Sequence, residues 1–162
     1  LTTSLMFRVA VARRLGRLGL KTCVRYTMSM TEDKLFLIIK ACFISDLEMS
    51  GEQFSRYDCF SEKWKMDIEL KCRRKHYDDL MIERDKYDAL MDRAKQKGTK
   101  DFYINSTPEG IYAFNLDEIK DIKWEMKGGL PRTTDFPDRR KVVKEVGFLS
   151  ISLAKKINED DV

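Results

Sequence analysis

The stretch Trp64-Lys65-Met66-Asp67-Ile68-Glu69-Leu70-Lys71-Cys72 decides how the rest of the chain is interpreted. Apolar and charged residues alternate along it, and successive side chains of a β-strand point to opposite faces of a sheet. The pattern predicts one strand whose apolar face packs on a core and whose other face carries acids and lysines. That charged face is either a solvated surface or a place where a cation binds.

A second strand is predicted just before this one, over residues 54–60, and the two strands form a hairpin. Two registers fit, with a connecting loop of two or of four residues. Both registers place Asp58 opposite Glu69, on the face that also carries Asp67 and Lys71. The hairpin therefore brings three carboxylates and one lysine together.

Asp58, Glu69 and Lys71 match the pattern D-(spacer)-E-x-K. Two carboxylates on one face can hold Mg²⁺ or Mn²⁺, because these cations prefer oxygen ligands. Such a cation stabilises charge on a phosphate and lowers the pKa of a bound water, which a nearby lysine can orient. The pattern predicts metal-assisted phosphodiester hydrolysis with Asp58, Glu69 and Lys71 as catalytic residues and the two acids as metal ligands. Asp67 lacks the spacing to a lysine and is interpreted as a supporting or solvated acid.

Basic residues after the strand point to nucleic acid. Arg73, Arg74 and Lys75 lie at the strand end, where a phosphate backbone could be held. Lys86, on the predicted helix that follows, is a further candidate for DNA contact, although a solvated helix face accounts for it as well.

The surrounding elements are predicted from periodicity and turn chemistry. A helix over residues 32–43 is capped by Thr31, and a helix of about twenty residues after the charged strand is capped by Asp78 or Asp79. Strands follow on each side of a tight turn at residues 107–110. Because a strand, a helix and a strand form a crossover, the strands that hold Glu69 and Ile104 are expected to be parallel. Residues 128–131 are predicted to be a break, and residues 142–151 a helix that runs into a strand.

This order of hairpin aspartate, ExK strand, helix and parallel strand resembles the PD-(D/E)xK nuclease superfamily, especially its small phage-type members. The resemblance covers roughly residues 48–150. The proline of the motif's name is absent, since Tyr57 precedes Asp58. The segments that carry the resemblance are SRYDC at 55–59, IELKCR at 68–73, HYDD, Glu83 and KYD within 76–88, YINSTP at 103–108 and LPRTTDF at 130–136.

The resemblance implies a fold of class α/β (α+β), with a restriction-endonuclease-like core in which helices flank a mixed β-sheet. It also implies a deoxyribonuclease, expected to be an endonuclease, that depends on Mg²⁺ or Mn²⁺ and acts on DNA. Cleavage of both duplex strands would favour a homodimer. Members of the family often add an acid from the first helix to the metal site, for which Glu32 is the candidate ligand and Glu48 and Glu52 are rivals.

Charge and composition divide the 162-residue chain unevenly. Residues 1–29 carry six basic residues and no acid, so the net charge of +4 leaves the remainder at −2. This segment is expected to be a poorly ordered basic leader, either a mitochondrial transit peptide or, as we favour, an upstream extension. Residues 30–157 are predicted to form one nuclease-like domain, and residues 158–162 an acidic tail.

The four cysteines form no CxxC pair, and no apolar run reaches the ~18–20 residues of a membrane span. We therefore expect free thiols, no membrane partner and a cytoplasmic location in a bacterial or phage-infected cell, or a mitochondrial one if the leader is a transit peptide. Two alternatives to a nuclease remain: a non-catalytic DNA-binding or assembly protein that retains a nuclease fold, and a structural domain with a salt-bridged hairpin.

Overall fold

The computed structural model describes residues 30–51, 57–132 and 140–157. The predictions for the basic leader, for Glu52, for residues 54–56 of the first hairpin strand and for the acidic tail lie outside the described residues. In chain order the described elements are α1 (Glu32–Cys42), β1 (Glu48–Met49), β2 (Cys59–Ser61), β3 (Met66–Cys72), β4 (Asp79–Glu83), α2 (Arg84–Lys97), β5 (Lys100–Thr107), β6 (Gly110–Asn115), a 3₁₀ turn (Leu116–Glu118), β7 (Trp124–Pro131), β8 (Lys141–Ser150), a second 3₁₀ turn (Ile151–Leu153) and β9 (Lys155–Ile157).

A six-stranded sheet in the order β1-β2-β3-β5-β6-β9 forms the centre of the fold. β3 and β5 are parallel and the other neighbours are antiparallel, so the sheet is mixed, as predicted. Ser61 pairs with Met66, which selects the hairpin register with a loop of four residues. The predicted fold class, a mixed sheet flanked by helices, is confirmed.

Each face of this sheet contributes to a hydrophobic core. On one face α1 packs with Ile68 and Leu70 of β3, and Thr31 caps the helix as predicted, its Oγ1 accepting a hydrogen bond from the Lys34 amide at 3.3 Å. On the other face Leu90 of α2 belongs to a second core with residues of β4, β5, β6 and β8. Asp67 and Glu69, on the charged face of β3, are thus turned toward α2.

The predicted long helix is wrong in its first part. Residues 79–83 form strand β4, so neither Asp78 nor Asp79 caps a helix, and α2 begins only at Arg84. Leu80 and Ile82 are both buried, which is the two-residue period of a strand, and β4 pairs with β8. The apolar residues in this segment fit both periods, and pairing with a strand distant in sequence decides between them.

A second, three-stranded sheet in the order β4-β8-β7 was not predicted. The expected break at residues 128–131 lies inside β7, where a register shift between Lys127 and Leu130 accommodates one extra residue. Gly129 has φ +75 in that bulge, a left-handed conformation that favours glycine. The expected helix near residue 142 is also wrong, because residues 141–150 are strand throughout. Within the described part of the chain, no helix combines the length and the apolar character needed to cross a membrane.

Candidate active site

The hairpin register places Asp58 beside the middle of β3. Its backbone amide donates to the Ile68 carbonyl at 3.0 Å, and its carboxylate Oδ2 accepts from the Leu70 amide at 2.7 Å. These two bonds hold the Asp58 side chain against the strand on either side of Glu69. The predicted approach of the two acids is present in the structure.

Glu69 is a buried carboxylate of this cluster, with only 7% of its surface exposed. Its Oε1 lies 2.9 Å from the ammonium of Lys86 on α2. Its Oε2 is buried and has no hydrogen-bond partner among the described residues. Burial, and after it the charge of Asp58, raises the pKa of Glu69 to about 7, while Lys86 and Lys71 oppose that rise.

Lys71 joins the cluster from the end of β3, and α1 brings Glu32 to it. The Lys71 ammonium lies 3.8 Å from the Glu32 carboxylate, which occupies the first turn of α1. Burial, with a smaller contribution from Glu32, raises the pKa of the neighbouring Cys72 thiol to about 11. The first-helix acid therefore lies at the site, paired with a lysine. Its rival Glu48 is exposed on edge strand β1, opposite Phe60.

The donor set suits a hard divalent cation. Mg²⁺ commonly uses one or two carboxylates and keeps several waters, so it does not need a cage of protein ligands. Asp58 and Glu69 supply two adjacent carboxylates, and the unpartnered Oε2 of Glu69 is a free acceptor. Among the described residues, no three His, Cys, Asp or Glu side chains converge as a metal-ligand group. The two acids would hold such an ion, with water or a phosphate oxygen completing its coordination.

Two predicted DNA contacts have other roles. Arg73 turns inward: its guanidinium donates to the Met81 carbonyl, to the Tyr103 hydroxyl at 2.9 Å and to Asn105 Oδ1 at 3.1 Å. It therefore braces β3 against β4 and β5. Lys86 is half-exposed, and its ammonium forms the ion pair with Glu69.

Arg74 and Lys75 are exposed in the loop after β3, where a charged ligand can reach them. These two side chains are therefore accessible at the surface next to the site, as predicted. Their role in DNA binding stays a prediction.

Asp67 is not solvated, since only 2% of it is exposed. Its Oδ2 accepts from Arg93 Nε at 2.6 Å and from the Thr99 hydroxyl at 3.2 Å. The Arg93 guanidinium also lies 3.8 Å from the centre of the Tyr57 ring. Asp67 is thus neutralised by α2, two residues before Glu69 on the same face of β3.

Asp101 is a buried acid that the sequence pattern does not indicate. It is fully buried, and neither of its carboxylate oxygens has a hydrogen-bond partner within the described residues. Burial, then the charges of Asp117 and Asp67, raises its pKa to about 7. Asp101 lies opposite Asp67 in the pairing of β3 with β5. The apolar pattern starts this strand at Phe102, whereas β5 begins two residues earlier, at Lys100, so the pairing was not predicted.

Comparisons with known proteins add a distant structural similarity. The chain is similar to the Holliday junction resolvase Hjc of the archaeal hyperthermophile Archaeoglobus fulgidus, with 16% identity over 80% of this chain and 89% of that chain and a TM-score of 0.48. No protein-family model matches the chain, and no curated protein matches it. Because identity and TM-score are this low, function has to be inferred from the side chains of the site.

Proposed function

We propose that the protein is a Mg²⁺- or Mn²⁺-dependent DNA nuclease that hydrolyses phosphodiester bonds at Asp58, Glu69 and Lys71. The observation that carries this proposal is the buried Glu69, whose Oε2 has no partner within the described residues and which lies beside Asp58. A buried carboxylate oxygen that lacks a hydrogen bond is costly, and acids with a raised pKa are concentrated at functional sites.

The residues divide the chemistry between them. Asp58 and Glu69 would hold the ion, which when bound lowers the pKa of a water and stabilises charge on the phosphate. The Leu70 amide fixes Asp58 at 2.7 Å, so one ligand is oriented before the ion arrives. Lys71 can take the proton from the attacking water or neutralise the phosphoryl oxygens. Lys86 keeps the site electrically balanced while the ion is absent.

The resemblance to PD-(D/E)xK nucleases supports the assignment of DNA as substrate, as do the exposed Arg74 and Lys75 beside the site. Glu32 is proposed as an accessory acid that positions Lys71, since their charged groups lie 3.8 Å apart. A homodimer, which would cut both strands of a duplex, belongs to the same proposal.

A cleavage assay with matched variants tests the proposal. Supercoiled plasmid and branched DNA are incubated with Mn²⁺ or Mg²⁺, and the rate of nicking is measured for Glu69→Gln and Lys71→Met. We expect each variant to lose activity by about a hundredfold or more. Glu62→Gln and Lys95→Met are the controls, because both residues are exposed, and they should keep the wild-type rate. Metal-dependent cleavage that survives both site substitutions would reject the proposed site.

A second candidate function is DNA binding without catalysis. It is favoured by the Lys86–Glu69 ion pair, which fills one side of the site with a cation of the protein itself. It predicts salt-sensitive DNA binding without metal-dependent cleavage. Calorimetric titration with Mn²⁺ separates the two candidates, because only the nuclease requires the ion to bind. A purely structural domain would bind neither Mn²⁺ nor DNA.

A further inference from the structure

The ribbon formed by β7 and β8 extends beyond the sheet that holds it. β4 pairs only with residues 146–150 of β8. Residues 125–132 and 140–145, here called the arm, pair with no strand outside the β7–β8 ribbon in the described structure. A backbone hydrogen bond of 3.0 Å from Arg132 to Arg140 continues the ladder past the strand ends. Most of the arm is exposed on both faces, and a free two-stranded ribbon contributes little stability by itself.

The charge of the arm is predominantly positive, with five basic residues and two acids. Lys127 and Lys144 lie directly opposite each other, an arrangement that is unfavourable without a counter-ion. The counter-ion of Lys144 is Glu83, whose carboxylate lies 2.9 Å from the Lys144 ammonium. Lys127 lies 4.9 Å over the ring of Phe148 and has no acidic partner among the described residues. The charged residues of the arm are Glu125, Lys127, Arg132, Arg140, Lys141, Lys144 and Glu145.

The base of the arm is attached to the candidate active site. Glu83, which holds Lys144, directly precedes α2, and the first turn of α2 carries Lys86, the partner of Glu69. The Arg84 guanidinium lies 4.6 Å from the centre of the Trp124 ring at the start of β7. One turn of helix therefore connects the base of the arm with the buried carboxylate of Glu69.

We propose that the arm binds the phosphate backbone of double-stranded DNA and holds the duplex beside the cleavage site. The inference rests on the proposed function and adds a contact surface to it. The exposed cations Lys127 and Lys141, one on each antiparallel strand, are complementary to a polyanion, and a two-stranded ribbon fits the width of the major groove. The exposed apolar residues Met126 and Val143 could instead cover a second copy of the chain, which the test below distinguishes.

The test compares two double variants of equal charge change. Lys127→Gln with Lys141→Gln removes two exposed cations from the arm, while Lys95→Gln with Lys97→Gln removes two from the C-terminal end of α2. Lys144 is kept because it holds Glu83. Affinity for a short fluorescein-labelled duplex is measured by anisotropy in EDTA, from about 50 to about 200 mM KCl.

We expect the arm variant to bind about tenfold more weakly, with the slope of log K against log [KCl] shallower by about 2. The control variant should keep the wild-type slope, and thermal melting should show that both are folded. An arm variant with the affinity and slope of the control overturns the proposal. A second result also overturns the proposal: the wild-type protein is a dimer, Met126→Ser with Val143→Ser separates it into monomers, and the salt slope stays unchanged. The arm is then an interface between copies.

Because binding is measured in EDTA, this result does not depend on cleavage. A failed nuclease assay with a shallower arm slope would reject the catalytic proposal and keep the arm. Cleavage abolished by Glu69→Gln, with an arm slope like that of the control, would do the reverse.

Discussion

At the scale of single residues, Glu69 connects the fold to the proposed chemistry. Burial and the neighbouring Asp58 raise its pKa to about 7, whereas Lys86 at 2.9 Å works in the opposite direction. A protonated carboxyl cannot hold a cation, so the same burial that prepares the site also makes it sensitive to pH.

The first prediction concerns that pH dependence. Mn²⁺ affinity should rise with pH, with a midpoint near the Glu69 pKa of about 7. In Lys86→Met the midpoint should move to higher pH, because a charge that lowers the Glu69 pKa is gone. Calorimetric titration across the pH range measures it, and Lys95→Met is the control. A Lys86→Met midpoint equal to that of the wild type would contradict the role of the ion pair.

The second prediction concerns Asp101, whose folded-state pKa of about 7 exceeds the ordinary value of 3.8. The folded state binds the proton more tightly, so this group lowers the free energy of unfolding as pH rises from about 4 to about 7. Asp101→Asn should therefore raise the unfolding free energy by about 1 to 2 kcal/mol at about pH 8 and by less at about pH 5. Urea unfolding measures both, with the exposed Asp92→Asn as control. An equal effect at the two pH values would show that Asp101 is ionised in the folded protein.

At the scale of elements, the sequence predicts those parts whose pattern is local. The alternation in β3, the cap of α1 and the hairpin parity together locate Asp58, Glu69 and Lys71. What the sequence cannot predict depends on distant partners. β4 has a pattern that also fits a helix, and only pairing with β8, more than sixty residues later, makes it a strand. The inward turn of Arg73 depends on the same unpredicted strand, since one of its acceptors is the Met81 carbonyl.

The third prediction separates bracing from DNA binding at the end of β3. Arg73→Met should lower the free energy of unfolding by about 2 to 3 kcal/mol, because three acceptors lose a charged donor. Exposed Arg74→Met should change it by less than about 0.5 kcal/mol while weakening DNA binding. Chemical denaturation and anisotropy measure the two effects. If the two variants unfold alike, the bracing role assigned to Arg73 is wrong.

At the scale of the whole molecule, the two cores and the site are built from residues 30–157. The main part of the chain has a net charge of −2, so attraction for DNA has to come from local clusters such as the arm and the loop after β3. The basic residues 1–29 add six positive charges outside the described structure.

The fourth prediction follows from this division. A protein that begins at Met30 should melt within about 3 °C of the full chain, because Met30 and the residues after it supply both described cores. Its DNA affinity should be lower and less dependent on salt, since six cations are removed. Scanning calorimetry and anisotropy provide the two measurements. A much lower melting temperature would show that the first 29 residues belong to the folded domain.

A crystal grown with Mn²⁺ at about pH 8 shows whether Asp58 and Glu69 together hold a divalent cation, as the proposed phosphodiester hydrolysis requires. The anomalous difference map should show one strong peak within about 2.5 Å of a carboxylate oxygen of each acid, with the Lys86 ammonium displaced from Glu69. If crystals grown in saturating Mn²⁺ show no peak between the two acids, and Lys86 still pairs with Glu69, the two acids do not hold the cation.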